Sequence, residues 1–263
     1  MSSSSPSSSS AAAKRFIVAA HGTEFSSDWV AGWCKMVTAL VQKPETSVNL
    51  RIPPAHLERS EIMQWIVNGL PDASEFDRLV VVDAGVMPSI EVLESMLGSP
   101  SPVTCALHVS DNGRELSAVE KFDPALVGKE KMTPLSVSPD VQFPEVEMCG
   151  MGFFTTAAGV IKDAKFAESY AKSRAITNEQ GTFTLDVLAS VCRAFVGAGV
   201  KVAVDTKARC SKWTKALVSI TDDTQPEAEP EAKPEADAAE PETKPEADAA
   251  EPEAKPEADT GAN

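Results

Sequence analysis

The chain has 263 residues, with 24 basic and 39 acidic side chains, for a formal net charge of −15; so acidic a balance is expected to repel nucleic acid rather than bind it. No apolar run approaches the roughly 20 residues that a transmembrane helix needs. The five cysteines (Cys34, Cys105, Cys149, Cys192 and Cys210) include no CxxC pair, so neither a disulfide framework nor a zinc site is indicated, and a reducing, intracellular and cytoplasmic setting fits best.

The charge is unevenly placed. From Asp222 onward there are fifteen acids against three lysines, a balance of −12, which leaves about −3 for the remainder. In that tail Lys-Pro-Glu-Ala-Asp recurs at Lys233, Lys244 and Lys255, and its prolines break helices too often for a solenoid. Residues 222–263 are therefore expected to be a disordered acidic tail, most simply a solvated one. Residues 1–13 are Ser, Ala and Pro without the apolar middle of a secretory signal, and read as a disordered lead. Residues 14–221, about 200 in number, suffice for one domain with a real core.

Within that domain Arg15-Phe16-Ile17-Val18-Ala19-Ala20 reads as a first strand, ending in the turn His21-Gly22-Thr23-Glu24. Ser26, Ser27 or Asp28 can cap a helix that carries Trp29, Val30, Trp33, Met36, Val37, Leu40 and Val41 at helical spacing. Val48 to Ile52 is a short second strand closed by Pro53-Pro54, and a helix follows over Leu57 to Leu70 with Arg59 at its start. Arg78-Leu79-Val80-Val81-Val82-Asp83 is β-branched and apolar on both faces, as a central parallel strand is. Asp83 stands where that strand runs out, which in open α/β sheets is where ligands bind. Pro88 is placed at a first helical position, with Ile90, Val92, Leu93, Met96 and Leu97 as the apolar stripe.

Val103 to Val109 gives a fourth strand, and Ser110 to Pro144 is a long polar, proline-punctuated stretch. Glu145 to Phe154 reads as an approach strand, a glycine-flexed turn at Gly150-Met151-Gly152 and an apolar anchor. Ala157 to Ala171 reads as one helix and Gly181 to Phe183 as extended chain. Val187 to Val196 forms a helix stopped by Gly197 and Gly199, and Val200 to Asp205 a last strand. Strand and helix alternate, the signature of a Rossmann-like α/β fold with a mostly parallel central sheet flanked by helices.

In this order the parts resemble a glycosyltransferase of the GT-A fold (family 2-like), across nearly all of Phe16 to Trp213, with a particular similarity to small glycosyltransferase domains of large algal DNA viruses. Four places carry it: Ile17 to Thr23, where such enzymes begin to hold the nucleotide; Glu58-Arg59-Ser60, similar to the family's Ala-Arg-Asn helix start; Val80 to Ser89, similar to the strand with the Asp-x-Asp motif; and Leu185-Asp186-Val187 with Ala198 to Asp205, similar to the acid-helix-glycine-strand module. The resemblance implies a nucleotide-sugar site (UDP- or GDP-type) at His21, Gly22, Thr23, Arg59, Asp83, Ala84 and Gly85. It also implies an acceptor side at Gly150, Met151 and Gly152, facing a glycan or protein-glycan. Asp186 would be the catalytic base, and Mn2+ or Mg2+ would sit at Asp83; a viral protein of this kind would act in the host cytoplasm.

Two positions depart from the pattern. The motif's second acid is Gly85, and Cys210-Ser211-Lys212-Trp213 follows the last strand where a metal-ligating histidine is usual, with Lys212 a substitute cation. One carboxylate plus a diphosphate holds a divalent ion only weakly. Each residue also has a plainer role. Asp83 and Asp186 are both good helix caps, Arg59 can be a solvated charge, His21 a structural histidine, His56 and His108 lack partners at metal spacing, and Trp29, Trp33 and Trp65 sit at core periodicity. Sugar transfer from a nucleotide sugar to a hydroxyl is the expected function. The alternative is a non-catalytic relative that binds nucleotide sugar or glycan, or serves as an interaction module.

Overall fold

The computed structural model describes residues 13–108, 118–123, 132–136, 138, 140–178, 181–213 and 217–218. The expected Ser-rich lead (apart from Ala13), the acidic tail, much of the 110–144 stretch and the side chain of Lys212 lie outside the described residues.

The first half builds three strand–helix pairs: β1 (Lys14–His21), α1 (Ser27–Val41), β2 (Thr46–Arg51), α2 (Arg59–Asn68), β3 (Arg78–Asp83) and α3 (Ile90–Leu97). Ser26 caps α1 by accepting the Trp29 amide at 3.1 Å, a bond of the kind worth about 1 kcal/mol. Glu58 and Glu61 form a reciprocal capping box that starts α2 at Arg59 rather than at Leu57. Ser89 caps α3 through the Val92 amide, so Pro88 precedes the cap instead of opening the helix.

The second half departs further from simple alternation. After β4 (Val103–Leu107) come the short strands β5 (Ala118–Phe122), β6 (Met132–Pro134), β7 (Glu145–Val146) and β8 (Met148–Cys149), then β9 (Phe153–Ala157). The single helix expected over 157–171 is two, α4 (Ala158–Ile161) and α5 (Ala164–Ser173), because Asp163 caps a new start through the Lys165 amide. A hairpin of β10 (Ala175–Asn178) and β11 (Gly181–Thr184) leads to α6 (Val187–Gly197) and β12 (Val202–Arg209). The small β13 (Lys212–Trp213) and β14 (Leu217–Val218) pair antiparallel.

The central sheet has seven strands in the order β2-β1-β3-β9-β4-β12-β7. Pairs β1–β2, β1–β3 and β4–β12 are parallel. β9 runs antiparallel between β3 and β4, and β7 is antiparallel on the edge. This is the expected Rossmann-like α/β fold with a mostly parallel sheet. The Phe153 anchor, however, is a full central strand.

Each strand divides its side chains between two faces. Phe16, Val18, Val80 and Val82 pack under α1 and α3 with Trp29, Trp33, Met36 and Leu93. Ile17, Leu79, Val81 and Phe154 pack under α2, α5 and α6 with Ile62, Met63, Phe166 and Phe195. All five cysteines are free. Three that are far apart in sequence meet in the second layer: the Cys149 Sγ lies 3.2 Å from Cys105 and 3.6 Å from Cys192.

Candidate functional site

Topology gathers the chemistry at one end of the sheet. β1, β3 and β4 finish there. α2 starts there because it connects parallel strands β2 and β3, and α6 starts there because it leads into β12, which is parallel to β4. The antiparallel β9 begins there, so the Gly150–Gly152 turn reaches the same place.

Asp83 is the hub. Its carboxylate is 4% exposed as a residue, and both oxygens have partners within the chain. Oδ1 accepts the Gly85 amide at 2.8 Å. Oδ2 lies 2.8 Å from His21 Nδ1, which donates to it, and 2.7 Å from a terminal guanidinium nitrogen of Arg59. The backbone is equally occupied: the Asp83 amide donates to the Gly152 carbonyl at 2.7 Å, and the Asp83 carbonyl accepts the Trp29 indole N–H at 3.0 Å and the Val86 amide at 3.0 Å. Burial works to push the Asp83 carboxyl up; the His21 hydrogen bond, the Arg59 charge and the Gly85 amide outweigh it and hold the group below the usual carboxylate range.

The neighbours are shaped to fit this hub. Gly22 has φ 151°, and a Cβ there would stand 2.4 Å from the Ala84 Cβ; the His21 carbonyl accepts the Ala84 amide at 2.8 Å. A Cβ on Gly152 would stand 2.5 Å from Val86 Cγ2 and 3.2 Å from the His108 ring. Met151 takes φ 44° while fully buried, a conformation that a side chain other than glycine rarely holds.

Of the residues picked from the sequence, His21, Arg59, Asp83 and Gly85 are joined by direct bonds, Gly22 and Ala84 by packing, and Gly152 through its carbonyl. Thr23 is exposed beside them and Gly150 is half-buried. Asp186 is separate: it is exposed, and its Oδ1 caps α6 by accepting the Leu188 amide at 2.9 Å. It also lies within electrostatic reach of Tyr170, whose hydroxyl is pushed up first by burial and further by Asp186, against Arg174.

Three residues have polar roles that the sequence reading did not give them. His108, just past the end of β4, is buried against Gly152; its signal was a strand ending in histidine, as β1 does. Trp29 was assigned to the core, which it joins, but its indole also holds the β3 end. Asp205 is fully buried, its Oδ1 accepting from Gln142 and from the amides of Lys207 and Ala208.

What the cluster can do follows from exposure. His21 is fully buried, and its Nε2 has no hydrogen-bond partner among the described residues. The Arg59 side chain is 45% exposed. It donates to Asp83 while facing solvent, and its planar fork suits an oxyanion such as a phosphate. A divalent ion fits poorly: it wants several oxygen ligands, both Asp83 oxygens are engaged, and Ala84 and Gly85 offer no side-chain oxygen. No group of three His, Cys, Asp or Glu among the described residues could hold a metal ion. A cavity of about 600 Å³ lies at the opposite end of the sheet, beside Lys14, Phe16, Asp77 and Arg78. It is an open groove next to the half-exposed Arg15–Asp77 pair and gathers none of the buried polar chemistry, so the Asp83 end is the better candidate.

No protein-family model and no curated protein matches the sequence. Among solved structures, the chain is similar to A197 from STIV, at 12% identity and a TM-score of 0.41, over 80% of this chain and 95% of that one. It is also similar to 4-diphosphocytidyl-2C-methyl-D-erythritol synthase from Anaerococcus prevotii (11%, TM-score 0.39, 81% and 94%). A third is the Francisella tularensis 2-C-methyl-D-erythritol 4-phosphate cytidylyltransferase (12%, TM-score 0.36, 81% and 97%). Scores of this size add nothing to what the strand order gives by itself: a Rossmann-like α/β sheet with a buried polar cluster at the carboxyl ends of its parallel strands.

Proposed function

We propose that the chain binds a nucleotide sugar, UDP- or GDP-type, at the Asp83 end of the sheet and transfers the sugar to a hydroxyl of a glycan or protein-glycan acceptor. The observation that supports this is the His21–Asp83–Arg59 cluster. It holds a half-exposed guanidinium at the start of α2, where the helix dipole adds to its attraction for a diphosphate. In this scheme the bond between the sugar's anomeric carbon and the diphosphate breaks, and a bond to the acceptor oxygen forms. The acceptor's proton passes to Asp186, and the nucleoside diphosphate leaves against Arg59. Asp83 and His21 are positioning residues that fix Arg59, and Gly150 to Gly152 border the acceptor. No step is routed through Mn2+ or Mg2+, since Asp83 is already engaged.

The second reading is a non-catalytic protein that binds nucleotide sugar or glycan, favoured by one specific observation: Asp186 spends an oxygen on capping its own helix. Calorimetry with UDP, GDP and their sugars, with and without Mn2+, followed by a hydrolysis and transfer assay on the ligand that binds, separates the two. Binding that Arg59→Gln weakens about tenfold, together with turnover, supports transfer. Binding without turnover supports the second reading, and no binding by any of these compounds ends both.

A further inference from the structure

Cys105, Cys149 and Cys192 stand 44 and 43 residues apart along the chain. They come from three elements: the middle of β4, the end of β8 and the middle of α6. All three lie in the layer under α2, α5 and α6 and are buried. Cys149 is the central member, its Sγ 3.2 Å from that of Cys105 and 3.6 Å from that of Cys192. The other two cysteines stand apart: Cys210 is buried in the opposite layer and Cys34 is exposed on α1. Burial raises the Cys105 thiol. The Cys149 and Cys192 thiols are held well above the usual range, first by their hydrogen bonds to Cys105 and to Cys149 respectively and further by burial. The trio therefore consists of three protonated thiols at neutral pH.

We propose that Cys105 and Cys149 are a reversible redox pair, oxidised to a disulfide by a low-molecular-weight disulfide such as glutathione disulfide, and that the new bond shifts the turn that holds Asp83. The two thiols give up two protons and two electrons as the sulfur–sulfur bond forms. Glutathione disulfide takes up both and is split into two glutathione thiols. A disulfide is about 2.05 Å long, so the sulfurs must approach by about 1.2 Å. Most of that movement falls on Cys149. Cys105 is fixed, because β4 lies between β9 and β12 and Cys105 pairs in register with Phe154 and Val204. β8 is two residues long and forms the edge of a small three-stranded sheet, paired with β5. The turn Gly150-Met151-Gly152 follows Cys149 directly. Its Gly152 carbonyl accepts the Asp83 amide at 2.7 Å, its Met151 is buried at φ 44°, and a Cβ on Gly152 would meet Val86 and His108. A turn packed this closely passes a shift of Cys149 on to the Asp83 amide. What that shift does to transfer rests on the reading of the Asp83 end given above; the bond itself does not.

The test equilibrates the full chain with roughly millimolar glutathione disulfide and glutathione, approached both from the folded chain and by dilution out of urea. Samples are quenched in acid, alkylated in denaturant and mapped by mass spectrometry without reduction. A peptide pair linking Cys105 to Cys149 is expected from both directions, with Cys192 and Cys210 alkylated and with dithiothreitol restoring all five thiols. The attacking form is the thiolate, so the exposed Cys34 should take up glutathione first, and the link should form faster as pH rises. Cys192→Ala should keep the link. In urea the preference for Cys105 with Cys149 should vanish. Hydrogen exchange followed by mass spectrometry then compares linked and reduced chains without any ligand, and the Asp83 amide should differ at least about fivefold in rate. Three intact thiols from both directions, with Cys34 carrying glutathione, overturn the proposal. A Cys149–Cys192 bond in place of the expected one does the same, and equal exchange at Asp83 removes the connection to the site.

Discussion

Replacing Asp83 by Asn tests the hub most directly, because the shape is kept and the charge removed. The amide oxygen can still accept the Gly85 N–H. The bond to His21 Nδ1 joins side chains that are 0% and 6% exposed, and loses its charged acceptor at a cost of about 1.5–3 kcal/mol. The Arg59 partner is 45% exposed, so solvent screening limits its share to below about 1 kcal/mol. The sum, about 2–4 kcal/mol, lowers the melting temperature by about 5–15 °C for a domain of this size. The effect carries a pH signature. The folded Asp83 sits below its ordinary value of 3.8, so its contribution is fully present above that value and is lost as pH falls through the lower, folded value. Melting followed by circular dichroism should therefore show a constant gap between wild type and Asp83→Asn from neutral pH down to about 5, closing below about 4. Equal melting temperatures at neutral pH would refute the hub. A gap that widens in acid would show that the carboxylate is not the stabilised form.

Three further outcomes are expected. Asp186→Asn keeps a good cap on α6 and should leave stability and nucleotide-sugar binding unchanged while stopping turnover; normal turnover removes Asp186 as base. Gly22→Ala combines an unfavourable φ with a Cβ at 2.4 Å from that of Ala84 and should cost about 1–3 kcal/mol or more, read by urea unfolding; no loss would mean the His21 turn yields freely. Deleting 222–263 should leave the melting temperature within about 1 °C, since that composition builds no core; a large drop would show that the acidic segment is part of the fold.

Alternation of strand and helix was legible through β4 because each element carries its own period and cap: valines for β3, Ser26 for α1, the Trp29-Trp33-Met36-Leu40 stripe beneath it. β9 was not legible as a strand between β3 and β4. Phe153 and Phe154 read equally as an anchor, and only long-range pairing with Leu79 to Val82 and with Val103 to Cys105 decides it. The break at Lys162-Asp163 hid because a capping aspartate inside an apolar period looks like a surface residue. At the site, sequence placed the acid and the arginine at the right ends of their elements. It could not tell whether they faced a ligand or each other, since that depends on α2 lying over β3. His108 and the bond from Trp29 were out of reach for the same reason.

The geometry also decides which group can respond to a ligand. Asp83 is bonded through its amide, its carbonyl and both carboxylate oxygens to the Gly150–Gly152 turn, α1, its own turn, β1 and α2. Freeing it to coordinate anything would undo several of these at once. Arg59 is held at Asp83 by an ion pair that solvent already screens. An anion arriving at the α2 start can take further guanidinium donors without breaking that pair, or can draw the side chain away at the cost of about 1 kcal/mol or less. In the proposed function, recognition at this end of the sheet therefore runs through the arginine, with the aspartate as its fixed anchor. That division fits a turn, Asp83-Ala84-Gly85, with a single carboxylate: an anchor needs one carboxylate, whereas a divalent ion needs more.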